Sequence, residues 1–329
     1  MMFPTILPNL QVSLHKDIRE EVACAEFAGY FAYYGFDKIS VDGYVHNFGG
    51  LDLAGYRIAT HVWVNPEATG NMLVVPGLFD HAGLFLDLVH ALLQQQYNVV
   101  TIDLPGHGLS SGPAAAINNF DEYGLLIDAC LTTLSTDLPK PWRALGQSTG
   151  CAAIMNYLLL PPSMATNAVQ PCANRIPLEK VVLLAPLLRP VHYWIVRLAH
   201  RLLSSFVKHT KRNFTHNSHD SAFLNFIAQK DPLQPRFISV AWVGAMIRWA
   251  EEFAGKSTSN VTNNVPILIV QGTDDQTVDF EYNIPHIKNK FPASRVAYIG
   301  GAMHHLARES DIYREQVLKN VSDFLHTVD

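Results

Sequence analysis

Charge is scarce in this chain of 329 residues. Asp, Glu, Lys and Arg together make up 16%, and 24 Lys and Arg stand against 29 Asp and Glu, a formal net charge of −5. A chain without an overall basic surface is not built to hold nucleic acid. Cysteine is rarer still. Cys24, Cys130, Cys151 and Cys172 show no Cys-x-x-Cys spacing, and Cys130 and Cys151 fall in stretches of helical pattern. They read as buried free thiols of a reducing compartment. His-Glu-x-x-His is missing, as are paired cysteines, so no zinc is expected. The glycine run Gly106-x-Gly108-x-x-x-Gly112 has neither dinucleotide spacing nor a P-loop lysine, and no cofactor is expected. No run approaches the ~18 uninterrupted apolar residues of a membrane span. The first nine residues, Met-Met-Phe-Pro-Thr-Ile-Leu-Pro-Asn, lack the basic start and apolar core of a secretory leader, so a cytoplasmic location is expected. Internal repeats are absent too.

Apolar residues, by contrast, make up 48%, enough for a sizeable core, and α/β chains of this length often form one domain. Residues 17–36 have helical periodicity with many aromatics (Phe27, Tyr30, Phe31, Tyr33, Tyr34), which predicts a leading helix. Strand-like segments follow at 38–47 and 56–64, read as an antiparallel pair joined by a turn at Gly49-Gly50. Then short apolar runs at 72–75, 98–102, 142–145, 180–185, 265–271 and 295–299 alternate with helical stretches. Such runs suit strands covered on both faces. The alternation predicts an α/β fold: a mostly parallel sheet with helices on both faces. Residues 186–264 interrupt it, being too long for a simple connection, and show helical patterns but no strand–turn–strand signal. This reads as a helical cap inserted over the sheet. The expected division is 1–186 and 265–329 as the two parts of the core, with 187–264 as the cap.

The chemistry gathers at the carboxyl ends of these strands, where functional loops of such sheets lie. Gly146-Gln147-Ser148-Thr149-Gly150 follows an apolar run and opens a helix-prone one. In a strand–turn–helix context the serine sits on a sharp, strained turn, small neighbours at −2 and +2 let strand and helix approach, and the helix N-terminus offers N–H groups to an oxyanion. A serine nucleophile needs a base and an orienting acid, which in sheets of this kind follow in the order acid, then histidine. The turn after 265–271 offers Asp274, Asp275 and Asp279, and the turn after 295–299 offers His304 and His305. His81 and His107 precede the serine and are read as loop structure.

The chain resembles the serine α/β-hydrolases of the monoacylglycerol lipase and bacterial lysophospholipase group over roughly residues 70–325, least through the cap. Pro76-Gly77-Leu78-Phe79-Asp80-His81 stands where the family has His-Gly-x-x-Glu-His, and Asp103-x-x-Gly106-x-Gly108-x-Ser110 matches a second family loop. Val181-Val-Leu-Leu-Ala-Pro186 matches the family's sixth strand and its exit. The resemblance implies the α/β-hydrolase fold with its inserted cap. It selects Asp275, at the end of a Gly-x-x-Asp turn, and His304, after Gly-Ala-x, as partners of Ser148. It implies the backbone N–H groups of Leu78 and Thr149 as oxyanion donors. Pro76 replaces the family's histidine, which puts the loop's geometry and the substrate fit in question and leaves the reaction class untouched.

The implied activity is hydrolysis of a single-chain lipid ester, a lysophospholipid or a monoacylglycerol. A small-ester carboxylesterase, an aminopeptidase-like serine hydrolase and a silent ligand-binding protein on the same fold are the alternatives. Between 187 and 219 there are six Lys or Arg and no Asp or Glu. Arg197, His200, Arg201, Ser204 and Lys208 recur at helical spacing opposite Trp194, Ile195, Leu198, Leu202 and Phe206. Such a helix suits transient contact with an anionic lipid surface. It equally suits a cap helix with a solvated basic face and an apolar face on the core, and that second arrangement is the one expected. Phe223, Phe226, Phe237, Trp242, Met246 and Trp249 are expected to line an acyl channel or to form the cap's own core.

Overall fold

A computed structural model of the chain describes residues 27–161, 175–258 and 265–327. The apolar runs are strands: β1 Val45–Leu53, β2 Tyr56–Val64, β3 Gly70–Val75, β4 Tyr97–Ile102, β5 Trp142–Gln147, β6 Leu178–Leu184, then β9 Ile267–Gly272 and β10 Ser294–Ile299. They form one sheet in the order β1-β2-β4-β3-β5-β6-β9-β10. From β4 to β10 every neighbour is parallel, while β2 joins β4 and β1 in antiparallel register. β3, β4 and β9 are buried along their whole length, which is why they read as unbroken apolar runs.

The sheet has an apolar core on each face. One is built with α3 (Asp121–Leu134) and α4 (Thr149–Leu159), through residues such as Tyr123, Leu126, Ile154 and Leu158. The other is built with α1 (Ala28–Tyr34), α2 (Leu86–Gln94) and α9 (Asp311–His326), through Tyr30, Leu88, Leu92, Val317 and Phe324. α8 (Phe280–Lys290) joins the first core through Ile284 and Ile287. The fold class is therefore the expected one.

Two local expectations differ. Gly49 and Gly50 do not turn; they sit inside β1, paired with Thr60 and Ala59. The reversal falls at Ala54-Gly55, with φ of 49° and 85°, the two positive angles of a tight hairpin turn. Residues 17–26 of the expected leading helix lie outside the described residues. From Ala28 the helix runs to Tyr34 and stops at Gly35, whose φ of 88° closes its C-terminus.

Between β6 and β9 stand α5 (Tyr193–Leu203), α6 (Ser221–Asn225) and α7 (Val240–Glu252). With them are two strands the sequence did not signal, β7 (His209–Lys211) paired antiparallel with β8 (Phe237–Ser239). Three residues are too few to show an alternating pattern. The orientation of α5 also departs from expectation. Its apolar face is not laid on the core: Trp194, Ile195, Leu198 and Leu202 are 57–68% exposed, and Phe206 beyond it is 85% exposed. What α5 and the turn after it turn inward is a mixed edge, Val196, Ala199, His200, Leu203, Ser204 and Val207.

Candidate active site

β5 ends at Gln147, and Ser148 takes φ 52° and ψ −109° before α4 begins at Thr149. No L-residue adopts that angle without strain, and the packing around it holds it there. A Cβ on Gly146 would lie 2.6 Å from the Cys151 nitrogen, and one on Gly150 would lie 2.0 Å from the Val75 carbonyl oxygen. The glycines at −2 and +2 are thus required by backbone contact, as the motif implied.

The structure brings the later residues to the same place. His304 Nδ1 lies 2.8 Å from Asp275 Oδ2, with both side chains buried. That carboxylate also accepts from Gln271 Nε2 (3.0 Å) and from the N–H groups of Thr277 (2.8 Å) and Val278 (3.1 Å). Burial works against its charge, but His304 and these hydrogen bonds hold it below the usual carboxylate range. With Asp275 holding Nδ1, the histidine's Nε2 is the nitrogen left for proton transfer. The other acids do other work: Asp279 caps α8 by accepting the Tyr282 N–H, and Asp274 is exposed beside Thr273.

Ser148, His304, Leu78 and Thr149 line one cavity of about 520 Å³. Thr149 is the first residue of α4, so its N–H has no carbonyl a turn earlier to bond. Among the described residues, no acceptor takes the Leu78 N–H either. Leu187, Val196, Leu203, Trp242, Val243 and Met246 give the cavity its apolar wall. Of the other cap aromatics, Trp249 packs on Phe120 and Phe253, Phe223 on the His305 ring, Phe226 on Tyr33 and Tyr34, and Phe237 is exposed.

Three buried contacts around this site escaped the sequence. Gln147, the residue before the serine, donates from Nε2 to the His304 carbonyl (2.9 Å) and so ties the histidine loop to the elbow. His305 is not idle: its Nε2 lies 3.1 Å from Asp80 Oδ1, and Asp80 Oδ2 accepts the Gly77 N–H (3.2 Å). Burial opposes charge on Asp80, yet His305 and the charge of Arg212 hold its carboxyl low. The loop carrying Leu78 is therefore braced by the neighbour of His304. His81 is loop structure as expected, but with a partner from the cap: its Nε2 lies 2.9 Å from Asp231 Oδ2, and Tyr34 OH donates to Asp231 Oδ1 (2.5 Å). Burial resists that charge too, but His81, Tyr34 and Gln234 bring Asp231 down to about 2. The Asp80–His81 dipeptide was visible in the matched loop; its partners were not. His107 bonds its own loop through the Pro105 carbonyl (2.9 Å). Among the described residues, no cluster of three His, Cys, Asp or Glu side chains could hold a metal ion.

Known proteins share this architecture. A soluble variant of monoglyceride lipase from Saccharomyces cerevisiae, solved with a substrate analogue, superposes with a TM-score of 0.71 at 18% identity, covering 88% of this chain and 98% of that one. Monoacylglycerol lipase from Paleococcus ferrophilus gives 0.63 at 18% identity, covering 82% and 98%. A putative aryl esterase from Burkholderia cenocepacia gives 0.57 at 19%, covering 84% and 97%. At such identities the likeness is one of fold. No curated protein matches the chain by sequence. The sequence model of one family, described as serine aminopeptidase, S33, matches residues 66–311, three-quarters of the chain and every element from β3 to the histidine turn. On that match the protein belongs to the serine aminopeptidase S33 family and is a serine hydrolase of the α/β-hydrolase fold.

Proposed function

We propose that the protein hydrolyses the acyl ester of a single-chain lipid through Ser148, His304 and Asp275. His304 Nε2 takes the hydroxyl proton as Ser148 Oγ attacks the acyl carbonyl. Asp275 holds the Nδ1 proton and stabilises the imidazolium that forms. The N–H groups of Leu78 and Thr149 receive the oxyanion. The alcohol leaves with the proton from His304, and a water activated by the same histidine releases the fatty acid. The observation that carries this reading is the shared cavity: a strained serine and an Asp-bound histidine open onto one space whose wall is largely apolar. The two lipases of like fold support a monoacyl substrate. An N-terminal peptide substrate would bring an ammonium group, and the cavity's carboxylate, Asp80, is already committed to His305 and the Gly77 N–H.

In this reading residues 187–264 are the lid over a core formed by 1–186 and 265–329. The exposed ridge of α5, with Phe206 and Phe237, is the surface that meets lipid, and the exposed Arg201 and Lys208 beside it favour an anionic one. No described helix is long and apolar enough to cross a membrane.

A hydrolysis screen tests the substrate class. Lysophospholipids, monoacylglycerols, short p-nitrophenyl esters and aminoacyl amides are compared by kcat/KM with the parent and with Ser148→Ala. Long-chain monoacyl esters should lead, and Ser148→Ala should lower every rate by several powers of ten. Aminoacyl amides leading the series would replace this reading with a peptidase. No turnover that depends on Ser148 would leave a binding protein.

A further inference from the structure

The active-site cavity has two kinds of wall. One stretch of the cap, residues 210–217, contributes Thr210, Arg212, Asn213, Thr215 and Asn217 to it. Arg212 is the only Lys or Arg among the described residues that line the cavity. Its guanidinium carbon lies 3.9 Å from the centre of the Phe79 ring and 4.4 Å from that of Phe214. Phe79 directly follows Leu78, so the cation is one side chain away from the oxyanion loop.

The two rings cover the guanidinium and leave its hydrogen-bonding edge. Of the five donors of an arginine fork, one nitrogen, Nη1, bonds to Gln234 Oε1. Among the described residues, no carboxylate forms an ion pair with Arg212. The two nearest acids in its field are bound elsewhere, Asp80 to His305 and Asp231 to His81. Burial lowers its pKa to about 10, which still leaves it charged at neutral pH. Its remaining donors are not among the buried unpartnered atoms, so they open to the cavity and are free to meet a ligand. Arginine held by aromatic faces presents a planar edge that matches the oxygens of a phosphate.

We propose that Arg212 forms an anion subsite on the alcohol side of the cavity, and that the preferred substrate is a monoacyl ester whose alcohol carries a phosphate. This rests on the ester-hydrolase reading above and narrows it. The acyl chain lies along the apolar wall, the ester carbonyl faces Ser148, and the phosphate meets the free edge of Arg212. Arg212 is a specificity residue here and takes no part in proton transfer.

Short chains are needed for the test, because aggregates of an anionic lipid would also be drawn to the exposed basic residues of the cap. The pair is 1-hexanoylglycerol and 1-hexanoylglycerol 3-phosphate, both monomeric, at fixed ionic strength, with parent, Arg212→Gln and Arg212→Lys. The parent should favour the phosphate ester in kcat/KM by about 10- to 100-fold, the usual range for a charge-assisted contact. Arg212→Gln should bring that ratio to about 1, and Arg212→Lys should keep part of it. Glycerol 3-phosphate, but not glycerol, should compete with p-nitrophenyl hexanoate in the parent, a measurement that needs no variant. A parent with no preference for the phosphate ester, or an Arg212→Gln variant that loses both activities equally and keeps the ratio, would overturn the subsite; Arg212 would then merely brace Phe79. If the parent hydrolyses neither ester, the hydrolase reading has failed instead. Calorimetric titration of the parent with glycerol 3-phosphate then decides the subsite alone, heat of binding supporting it and none refuting it.

Discussion

At the residue scale, the site separates into what is local in the chain and what is not. The elbow was legible because its requirements lie within five residues: glycines at 146 and 150 that backbone contacts demand, and a serine between them. The braces were not legible. His305 and Asp80 are 225 residues apart, and His81 and Asp231 are 150 apart, so no spacing rule joins them. Their effect on rate follows from geometry. Asp80→Ala frees the Gly77 N–H and leaves His305 unpartnered, so the loop bearing Leu78 loses its register. We expect kcat to fall about 10- to 100-fold with KM little changed, the pattern of a misplaced oxyanion donor. A rise in KM alone would assign Asp80 to substrate binding. Gly150→Ala should be more drastic, since the new methyl would meet the Val75 carbonyl oxygen at 2.0 Å. It should yield insoluble protein, or soluble protein without Ser148 reactivity; a normal rate would mean the elbow relaxes more freely than close packing allows.

At the scale of elements, the sheet was read from unbroken apolar runs, and the helices from their period. Orientation was harder. The amphipathic pattern of α5 was plain, but a helix with one apolar side says only that this side seeks cover, not what covers it. The protein's own core does not: Ile195, Leu198 and Leu202 are 57–68% exposed. Nor do they line the cavity, so they can be changed without reshaping it. The triple change Ile195→Ser, Leu198→Ser, Leu202→Ser should weaken binding to phosphatidylcholine vesicles containing an anionic lipid by tenfold or more, since each buried methylene contributes about 0.8 kcal/mol. Turnover of a monomeric p-nitrophenyl ester should stay within about threefold. Sedimentation with vesicles reads the first, and absorbance the second. Equal binding by variant and parent would remove this face from the lipid contact. The strands β7 and β8 were missed because each is only three residues long, and their pairing depends on residues 26 positions or more away rather than on any local pattern.

At the scale of the molecule, pH acts through His61 and His107, which are buried, and His46, which is partly buried beside His61. Burial lowers His46 to about 4 and His107 to about 4, and drives His61 well below its ordinary value. His46 stacks on Trp63 with ring centres 4.3 Å apart, and its Nε2 lies 3.0 Å from His61 Nδ1. Unfolding releases these groups to titrate near 6.5, so below that pH the unfolded chain binds the extra protons and stability falls as pH falls. At pH 5 His46 alone accounts for about 2 kcal/mol. Of two other groups, His81 opposes this trend in part and Asp231 does not enter it between pH 7 and pH 5. His81, raised by Asp231 against the effect of burial, contributes stability that is complete below 6.5 and is lost as pH rises through its folded value. Asp231 contributes above 3.8 and is lost only as pH falls toward about 2. Thermal unfolding should therefore shift down by several degrees between pH 7 and pH 5, and His46→Phe should shrink the shift. A midpoint that holds or rises on acidification would mean that burial does not depress these histidines.

The account turns on Ser148 being the activated nucleophile, and direct covalent labelling tests that. The purified protein is treated with a fluorophosphonate, digested, and the modified peptide identified by mass. One adduct should appear, on Ser148, and its rate of formation should drop at least a hundredfold in His304→Ala while staying within tenfold of the parent in His305→Ala. Labelling at another serine, labelling that ignores His304, or a greater loss in His305→Ala than in His304→Ala would contradict the assignment.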